Sequence, residues 1–118
     1  MQYLLINQTA PFDGNTAQEI LDLALALSTF EQNVQLLFLG DGIFQLLKNQ
    51  QPNFIYRKDF IATFKALAMY DVADVYVDAA SLNARRISKN DLVIDVMLVS
   101  AEDIVEIMDA VDVVLNMG

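Results

Sequence analysis

The residues best placed to do chemistry in this sequence are two aspartates that each follow a predicted strand. Asp41 comes after the second apolar strand segment, and Asp78 comes after the third. Because the carboxyl ends of parallel strands open on one crevice, such a pair can hold magnesium or accept a phosphoryl group. A phosphoryl-accepting site of this kind also needs acidic residues after its first strand and a lysine late in the chain. The first strand instead ends in Asn7-Gln8 and no basic residue follows Lys89, so we assign both aspartates to helix N-caps.

A second candidate site is the tetrapeptide Asp13-Gly14-Asn15-Thr16, which lies between the first predicted strand and the first predicted helix. Doubly wound folds bind phosphate at this position, on backbone N–H groups of the loop and of the helix start. The Gly-Asn-Thr part resembles the phosphate loop of flavodoxins, so a flavodoxin-like FMN-binding protein is the alternative function. Flavodoxin loops carry hydroxyls before this tripeptide, whereas residues 10–12 are Ala-Pro-Phe and Asp13 would repel a phosphate. We therefore favour a turn followed by a helix cap.

Composition restricts nucleophilic and metal chemistry, because the sequence contains neither Cys nor His. Thiolate catalysis, sulfur carriage and thiolate metal sites are excluded without a thiol. Ser81 has no histidine with which to form a catalytic triad, and we assign it to packing or capping. Arg85-Arg86 can bind a phosphate or an acidic partner surface, but paired arginines usually face solvent. We predict no catalytic residue, no metal and no cofactor.

The elements that position these residues alternate between strand and helix patterns. The chain has 118 residues, which predicts a single domain over residues 1–118. Predicted strands cover residues 1–6, 34–39, 72–77, 92–98 and 113–115. Predicted helices cover residues 17–30, 43–48, 59–70 and 79–86, and a last one that begins after Ser100. That last helix carries on one face Ile104, Ile107, Met108 and Val111. This order predicts an α/β fold, a small, mostly parallel sheet of about five strands with helices on both faces.

The charge pattern argues against nucleic-acid binding by the overall field of the protein. The net charge is −9, so phosphates would be repelled. All seven basic residues lie between Lys48 and Lys89, where they form either a local basic patch or an ordinary solvated surface, and we favour the solvated surface. The sequence shows no apolar segment approaching the roughly 20 residues that a bilayer requires, and no basic residue precedes the first apolar run. We expect a cytoplasmic protein that does not contact membranes.

Two predicted helices are more apolar than a monomer of this size needs. Residues 20–27 and 60–70 carry apolar side chains around most of the helix circumference, whereas covering a sheet takes a stripe of about 100°. Either neighbouring helices cover the surplus or it lies in a subunit interface, and we favour the interface. The candidate interface residues are Phe44, Ile61, Phe64, Met69 and Tyr70. If Phe64 faces the sheet, then Ile61, Ala68 and Met69 face the partner.

Three segments together resemble a known family. They are Asp41–Leu47 (Asp-Gly-Ile-Phe-Gln-Leu-Leu), Arg57–Leu67 and Asp78–Leu82. With the region Phe12–Leu27, they are similar to the DsrE/DsrF-like family, and within it to subunits of the TusC/DsrF type. The resemblance covers essentially the whole chain, in order and at comparable length.

The resemblance implies a noncatalytic role in sulfur transfer. It implies a heterohexamer with TusB-like and TusD-like subunits, in which sulfur passes as a persulfide towards 2-thiouridine at the tRNA wobble position. The related DsrE, DsrF and DsrH proteins imply sulfur oxidation instead. In TusD-like relatives the reactive Cys lies near the segment that matches Val77–Ala80, which has no sulfur here. The resemblance therefore implies a structural subunit that reaches tRNA only through the complex.

Overall fold

The fold is built on one parallel β-sheet. A computed structural model describes residues 1–8, 22–24, 26–27, 33–46, 73–92 and 94–116. Within them the strands lie in the order β4-β3-β2-β1-β5, and every pair is parallel. The strands are β1 Gln2–Asn7, β2 Asn33–Phe38, β3 Ala73–Asp78, β4 Met97–Val99 and β5 Val113–Asn116. The α-helices are α1 Ala79–Ala84 and α2 Ala101–Ala110, and short 3₁₀ helices cover Gly40–Leu46 and Lys89–Asp91. Residues 22–24 and 26–27 are also helical.

The internal strand β1 is apolar on both faces because both faces are covered. Leu4 and Leu5 are completely buried, although neighbouring side chains of a strand point to opposite sides of the sheet. Leu5 pairs with Leu36 of β2, and Ile6 pairs with Leu37. A continuous apolar run is the pattern expected of a strand between two layers of helices.

The first face of the sheet, which carries Leu5 and Leu36, holds the larger hydrophobic cluster. Ala24 from the early helical residues, Ile43 from the first 3₁₀ helix and Leu82 from α1 all pack into this cluster. Burial of these side chains removes apolar surface from water, which is the main force holding the helices on the sheet.

The second face of the sheet, defined by Leu4, Ile6 and Leu37, packs against α2. The side chains of α2 and of its C-terminal end that contact this face are Ile104, Ile107 and Val111. The connections from β1 to β4 all step in one direction along the sheet, whereas β4 to β5 steps back past β1. Because crossovers between parallel strands are right-handed, the reversed step puts α2 on the opposite face. The predicted parallel sheet with helices on both faces is confirmed.

The fourth strand is shorter than predicted. The sequence alternation over residues 92–98 is real, since Leu92, Ile94 and Val96 are all buried in the cluster of the first face. These residues precede the strand, and the ladder with β3 covers only Met97–Val99. The alternation records which side chains face the core, and it does not require the backbone to pair with a neighbouring strand.

The helix after β3 also ends earlier than predicted. It closes at Ala84, and Arg86 adopts a φ of 54°, a left-handed conformation that stops a helix. The predicted helix over residues 59–70 lies outside the described residues, as does most of the predicted helix over residues 17–30.

None of the described helices is long and apolar enough to cross a bilayer.

Candidate functional site at the carboxyl edge of the sheet

The carboxyl ends of β2 and β3 lie side by side. Phe38, the last residue of β2, pairs with Val77 of β3, so Leu39 after β2 and Asp78 at the end of β3 lie next to each other. The first 3₁₀ helix follows β2 after Leu39, and α1 follows β3 directly at Ala79. Polar side chains carried by these two helix starts are therefore brought together at this edge.

Ser81 connects the two helix starts. Asp78 is the N-cap of α1, and its Oδ2 accepts hydrogen bonds from the Ser81 N–H at 3.2 Å and from the Ser81 hydroxyl at 2.5 Å. The Ser81 Oγ in turn accepts a hydrogen bond from the Gly40 N–H at 3.0 Å. A single hydroxyl thus satisfies a backbone donor of one element while it is held by the cap of the other.

Arg85 makes the second connection. It lies four residues after Ser81, one helical turn along the same face, and its Nη1 donates to the Ser81 carbonyl oxygen at 3.1 Å. Its Nη2 donates to Oδ1 of Asp41 at 2.9 Å, and its Nε donates to the same oxygen at 3.3 Å. The guanidinium carbon lies 5.9 Å from the ring centroid of Phe44, within the range of a cation–π contact. We refer to Gly40, Asp41, Asp78, Ser81 and Arg85 as the edge cluster.

The side chains of the edge cluster are engaged in structural hydrogen bonds and an ion pair. The Ser81 hydroxyl donates to Asp78 and accepts from Gly40, and the hydrogen bonds of Asp78 are those of a helix cap. Asp41 points to Arg85, so the two aspartates are held by different partners and do not form a joint cation site. No group of three or more acidic residues that could hold a metal ion occurs among the described residues. The arrangement fixes α1 against the first 3₁₀ helix.

Close approach of backbone segments completes this edge. The N–H of Leu39 donates to the Asn7 carbonyl oxygen at 3.0 Å. A Cβ added to Gly42 would lie 2.8 Å from the Asn7 carbonyl carbon and would overlap its oxygen. Only glycine allows the 3₁₀ helix to sit this close to the end of β1.

Tyr76, the residue with a perturbed pKa in the described part of the chain, lies away from the edge cluster. Burial raises the pKa of the Tyr76 phenol, and the negative charge of Asp74 raises it further. Tyr76 is half-buried against the cluster of the second face, beside Leu37 of β2 and Met97 of β4. This environment stabilises the neutral phenol at neutral pH.

The structure places two sequence candidates differently from the prediction. Asp78 caps α1 as predicted, but Asp41 lies inside the first turn of its helix and binds Arg85 rather than capping. Arg85 is not simply solvated, because its side chain is only 26% exposed and pairs with Asp41. Arg86 is exposed, in line with the prediction for the arginine pair.

Of the five predicted interface residues, only Phe44 is among the described residues. Phe44 is half-buried, packs against the cluster of the first face and lies under Arg85. The other four, Ile61, Phe64, Met69 and Tyr70, lie outside the described residues, as does the tetrapeptide at residues 13–16.

Sequence reasoning missed the contacts that join the edge cluster, although a signal was present. In a parallel sheet, residues that follow adjacent strands are neighbours, so Asp41 and the first turn of α1 had to be close. The spacing of four between Ser81 and Arg85 then puts both side chains on one helix face. The order of the strands was the missing piece of information, because only adjacency of β2 and β3 brings the two segments together.

The parallel sheet with helices on both faces and a polar cluster at its carboxyl edge defines an α/β protein, and comparisons with known proteins narrow the class. The structure is similar to the crystal structure of the ychN protein from E. coli, with a TM-score of 0.82, 21% identity and coverage of 98% of this chain and 99% of that one. The DsrE/DsrF-like family model matches residues 1–117. This chain belongs to the DsrE/DsrF-like family.

Several relatives are similar over most of the sequence. A TusC homologue from Aliivibrio fischeri is 38% identical over 108 residues, covering 92% of each chain. A TusC homologue from Pseudomonas aeruginosa is 36% identical over 114 residues, covering 97% of this chain and 96% of that protein. The intracellular sulfur oxidation protein DsrF from Allochromatium vinosum is 38% identical over 92 residues, covering 78% of this chain and 68% of that protein.

Proposed function

We propose that this chain is a noncatalytic structural subunit of a TusBCD-like sulfur-relay complex. This complex converts the wobble uridine of tRNA to 2-thiouridine. Its partners are TusB-like and TusD-like subunits in a cytoplasmic heterohexamer, and it meets tRNA only through that complex. Support comes from the family membership and from TusC homologues that match over nearly their whole length.

One observation carries the noncatalytic part of the proposal. The resemblance puts the persulfide-bearing Cys of TusD-like subunits at the junction between β3 and α1, and this chain has no Cys at all. The residues at the junction are Asp78, Ala79, Ala80 and Ser81, and the two polar ones belong to the edge cluster. The Ser81 hydroxyl and the thioethers of the methionines cannot carry sulfur as a persulfide, because that role requires a thiol. The chain then serves to complete the complex and to help shape the partner's site.

The subunit contacts of such a complex include the five interface candidates predicted from the sequence, Phe44, Ile61, Phe64, Met69 and Tyr70. Large aromatic and thioether side chains dominate the cores of protein interfaces. Phe44 already packs within the chain, so only its remaining exposed part is available to a partner.

A sulfur-oxidation subunit is the second candidate function, and the similarity to DsrF supports it. That match has the same 38% identity as the Aliivibrio fischeri TusC homologue but covers 68% of its counterpart, against 92% for the TusC homologue. The more complete coverage favours the tRNA-thiolation complex.

Two measurements test the proposed function. Deleting the gene should abolish 2-thiouridine at the tRNA wobble position, measured by mass spectrometry of nucleosides, and the wild-type gene should restore it. Unchanged 2-thiouridine with impaired sulfur oxidation would instead assign the chain to the DsrF role. Incubating the purified chain with a cysteine desulfurase and cysteine should leave its mass unchanged, and a reducible gain of one sulfur atom would refute the noncatalytic role. A yellow protein with flavin absorbance would support the flavodoxin-like alternative.

A further inference from the structure

Helix α2 covers the second face of the sheet only shallowly. None of its residues is buried, and the two that contact the sheet most closely, Ile104 and Ile107, are half-buried. Val105 is 58% exposed and Met108 is 39% exposed. A surface helix normally presents charged or polar residues on the side turned away from the core, so two large apolar side chains there need another explanation.

The exposed apolar residues of α2 lie towards the β5 edge of the sheet. Val105 and Met108 are three residues apart and share one flank of the helix, next to the stripe that contains Ile104. Because the crossover from β4 to β5 is right-handed, this flank of α2 is turned towards β5. Val114 of β5 pairs with Leu4, so it points from the same face of the sheet, and it is 38% exposed. Val105, Met108 and Val114 are therefore exposed apolar residues on the same side of the molecule near this edge, and we call them the α2–β5 surface.

Helix α2 carries negative charge beside this surface. No basic residue follows Lys89 in the sequence. The acidic side chains of α2, all exposed, are Glu102, Asp103, Glu106 and Asp109. An apolar centre with a charged rim is the usual composition of a protein interface.

The charge selects the kind of occupant. A symmetric contact with a second copy would set the acidic α2 against another acidic α2, and like charges across an interface are strongly unfavourable. A partner with basic side chains around an apolar centre meets both parts of the surface. We propose that the α2–β5 surface binds a different protein subunit through a basic and apolar face of that subunit. The identity of this subunit as TusB-like or TusD-like rests on the proposed function.

Charge reversal at one exposed position of α2 tests this proposal. The chain is titrated with its co-purified TusB-like and TusD-like subunits, and the dissociation constant is measured calorimetrically at low and moderate salt. We expect Glu106→Lys and Val105→Lys to weaken binding about tenfold or more, and added salt to weaken binding of the wild-type chain. The matched control is Asp95→Lys, which makes the same charge change at an exposed position between two residues that pack on the first face. It should bind within about threefold of the wild-type chain.

The outcomes separate the surface from the function. If the wild-type chain binds neither subunit, the proposed function and the proposal for the α2–β5 surface both fail. If it binds and Glu106→Lys binds equally well, or if Asp95→Lys loses as much affinity as Glu106→Lys, the α2–β5 surface is refuted while the proposed function stands. Circular dichroism of Val105→Lys confirms folding, and Glu106→Lys gives an independent variant at an exposed position. Light scattering that shows a dimer of the wild-type chain, broken by Val105→Lys, would assign the surface to a second copy and overturn the proposal.

Discussion

Of the two glycines among the described residues of the first 3₁₀ helix, Gly42 tolerates less change. It is buried where the first 3₁₀ helix passes the end of β1, and its missing side chain is what allows the Asn7 carbonyl to lie so close. Gly40, two residues earlier, is glycine for a different reason, because its φ of 52° is unfavourable for residues with a Cβ. Steric overlap therefore requires glycine at position 42, and backbone strain favours it at position 40.

Substituting Gly42 by Ala should destabilise the protein by about 3 kcal/mol or more, because the new methyl overlaps backbone atoms that cannot rotate away. Gly40→Ala is the matched control. Its Cβ would lie 3.7 Å from Nη2 of Arg85, an ordinary contact, so only the left-handed backbone costs energy, about 1–2 kcal/mol. Urea unfolding of both variants measures the difference. Equal losses, or a larger loss at Gly40, would contradict the close packing at Asn7.

Tyr76 should make stability depend on pH in the alkaline range. Its pKa in the folded protein is raised by burial and by Asp74, so folding favours the neutral phenol. That contribution is complete below the unfolded pKa of about 10 and is lost as pH rises through the higher folded pKa. We expect the free energy of unfolding of Tyr76→Phe to fall less steeply above pH of about 10 than that of the wild-type chain.

Absorbance at the tyrosinate band, compared between the wild-type chain and Tyr76→Phe, reports the titration of this phenol directly. Asp74→Asn is the control for the second cause, since removing the negative charge should lower the Tyr76 pKa towards its ordinary value. If the free energy of unfolding depends on pH identically in the wild-type chain and in Tyr76→Phe, Tyr76 is as solvated in the folded chain as in the unfolded one.

At the scale of elements, the edge cluster joins two helices that the chain places far apart. The hydrogen bond from Gly40 to Ser81 spans 41 residues, and the ion pair between Asp41 and Arg85 spans 44. Asp41 is exposed, so its ion pair with Arg85 contributes little, within about 1 kcal/mol. The half-buried hydroxyl of Ser81 is the stronger link.

Ser81→Ala should cost about 1–3 kcal/mol, because the Gly40 N–H loses its acceptor in a half-buried position and Asp78 loses a donor. Ser81→Thr retains the hydroxyl and should recover most of this loss. Ser88→Ala removes a capping hydroxyl that is exposed to water, so it should cost less than Ser81→Ala. Thermal unfolding of the three variants ranks them. A Ser81→Ala variant as stable as the wild-type chain would mean that water replaces the hydroxyl and that the hydrogen bonds of Ser81 contribute nothing to the free energy of unfolding.

The elements differ in how far their sequence determines them. The strands β1, β2 and β3 could be predicted to within a residue or two, since a strand covered on both faces must be apolar throughout. The capping box between Ser100 and Asp103 likewise marks the start of α2 locally. The buried alternation over residues 92–96 misplaced β4, because side-chain burial and backbone pairing are separate events. The partners of Asp41 and Ser81 could not be predicted, because they depend on which strands are neighbours in the sheet.

At the scale of the whole molecule, acidic residues outnumber basic residues. The sequence has 16 acidic and 7 basic residues, for a net charge of −9. An excess of one sign repels itself in the compact state and keeps the protein soluble. The same excess favours association with a basic partner, so salt should act in opposite directions on folding and on binding.

The melting temperature of the isolated chain should therefore rise as NaCl increases from about 0.01 M to about 0.3 M, since the screening length falls from about 30 Å to below 10 Å. Glu106→Lys reduces the negative charge and should show a smaller rise. Differential scanning fluorimetry at several salt concentrations provides the measurement. A melting temperature that falls with salt would show that attractive charge pairs outweigh the repulsion.

The pairing of β5 with β1 also governs when the protein can finish folding during its synthesis. The backbone N–H of Gln2 donates to Asp112, a contact that spans 110 residues. A ribosome makes β1 long before α2 and β5, so in the nascent sheet of β1 to β4 the β1 edge is unpaired and one apolar face is uncovered. Contacts at such sequence separation slow folding and prolong exposure to aggregation and to chaperones. Pulse-labelling hydrogen exchange during refolding should accordingly find the β5 amides protected after those of β2 and β3, and simultaneous protection would exclude late closure of this edge.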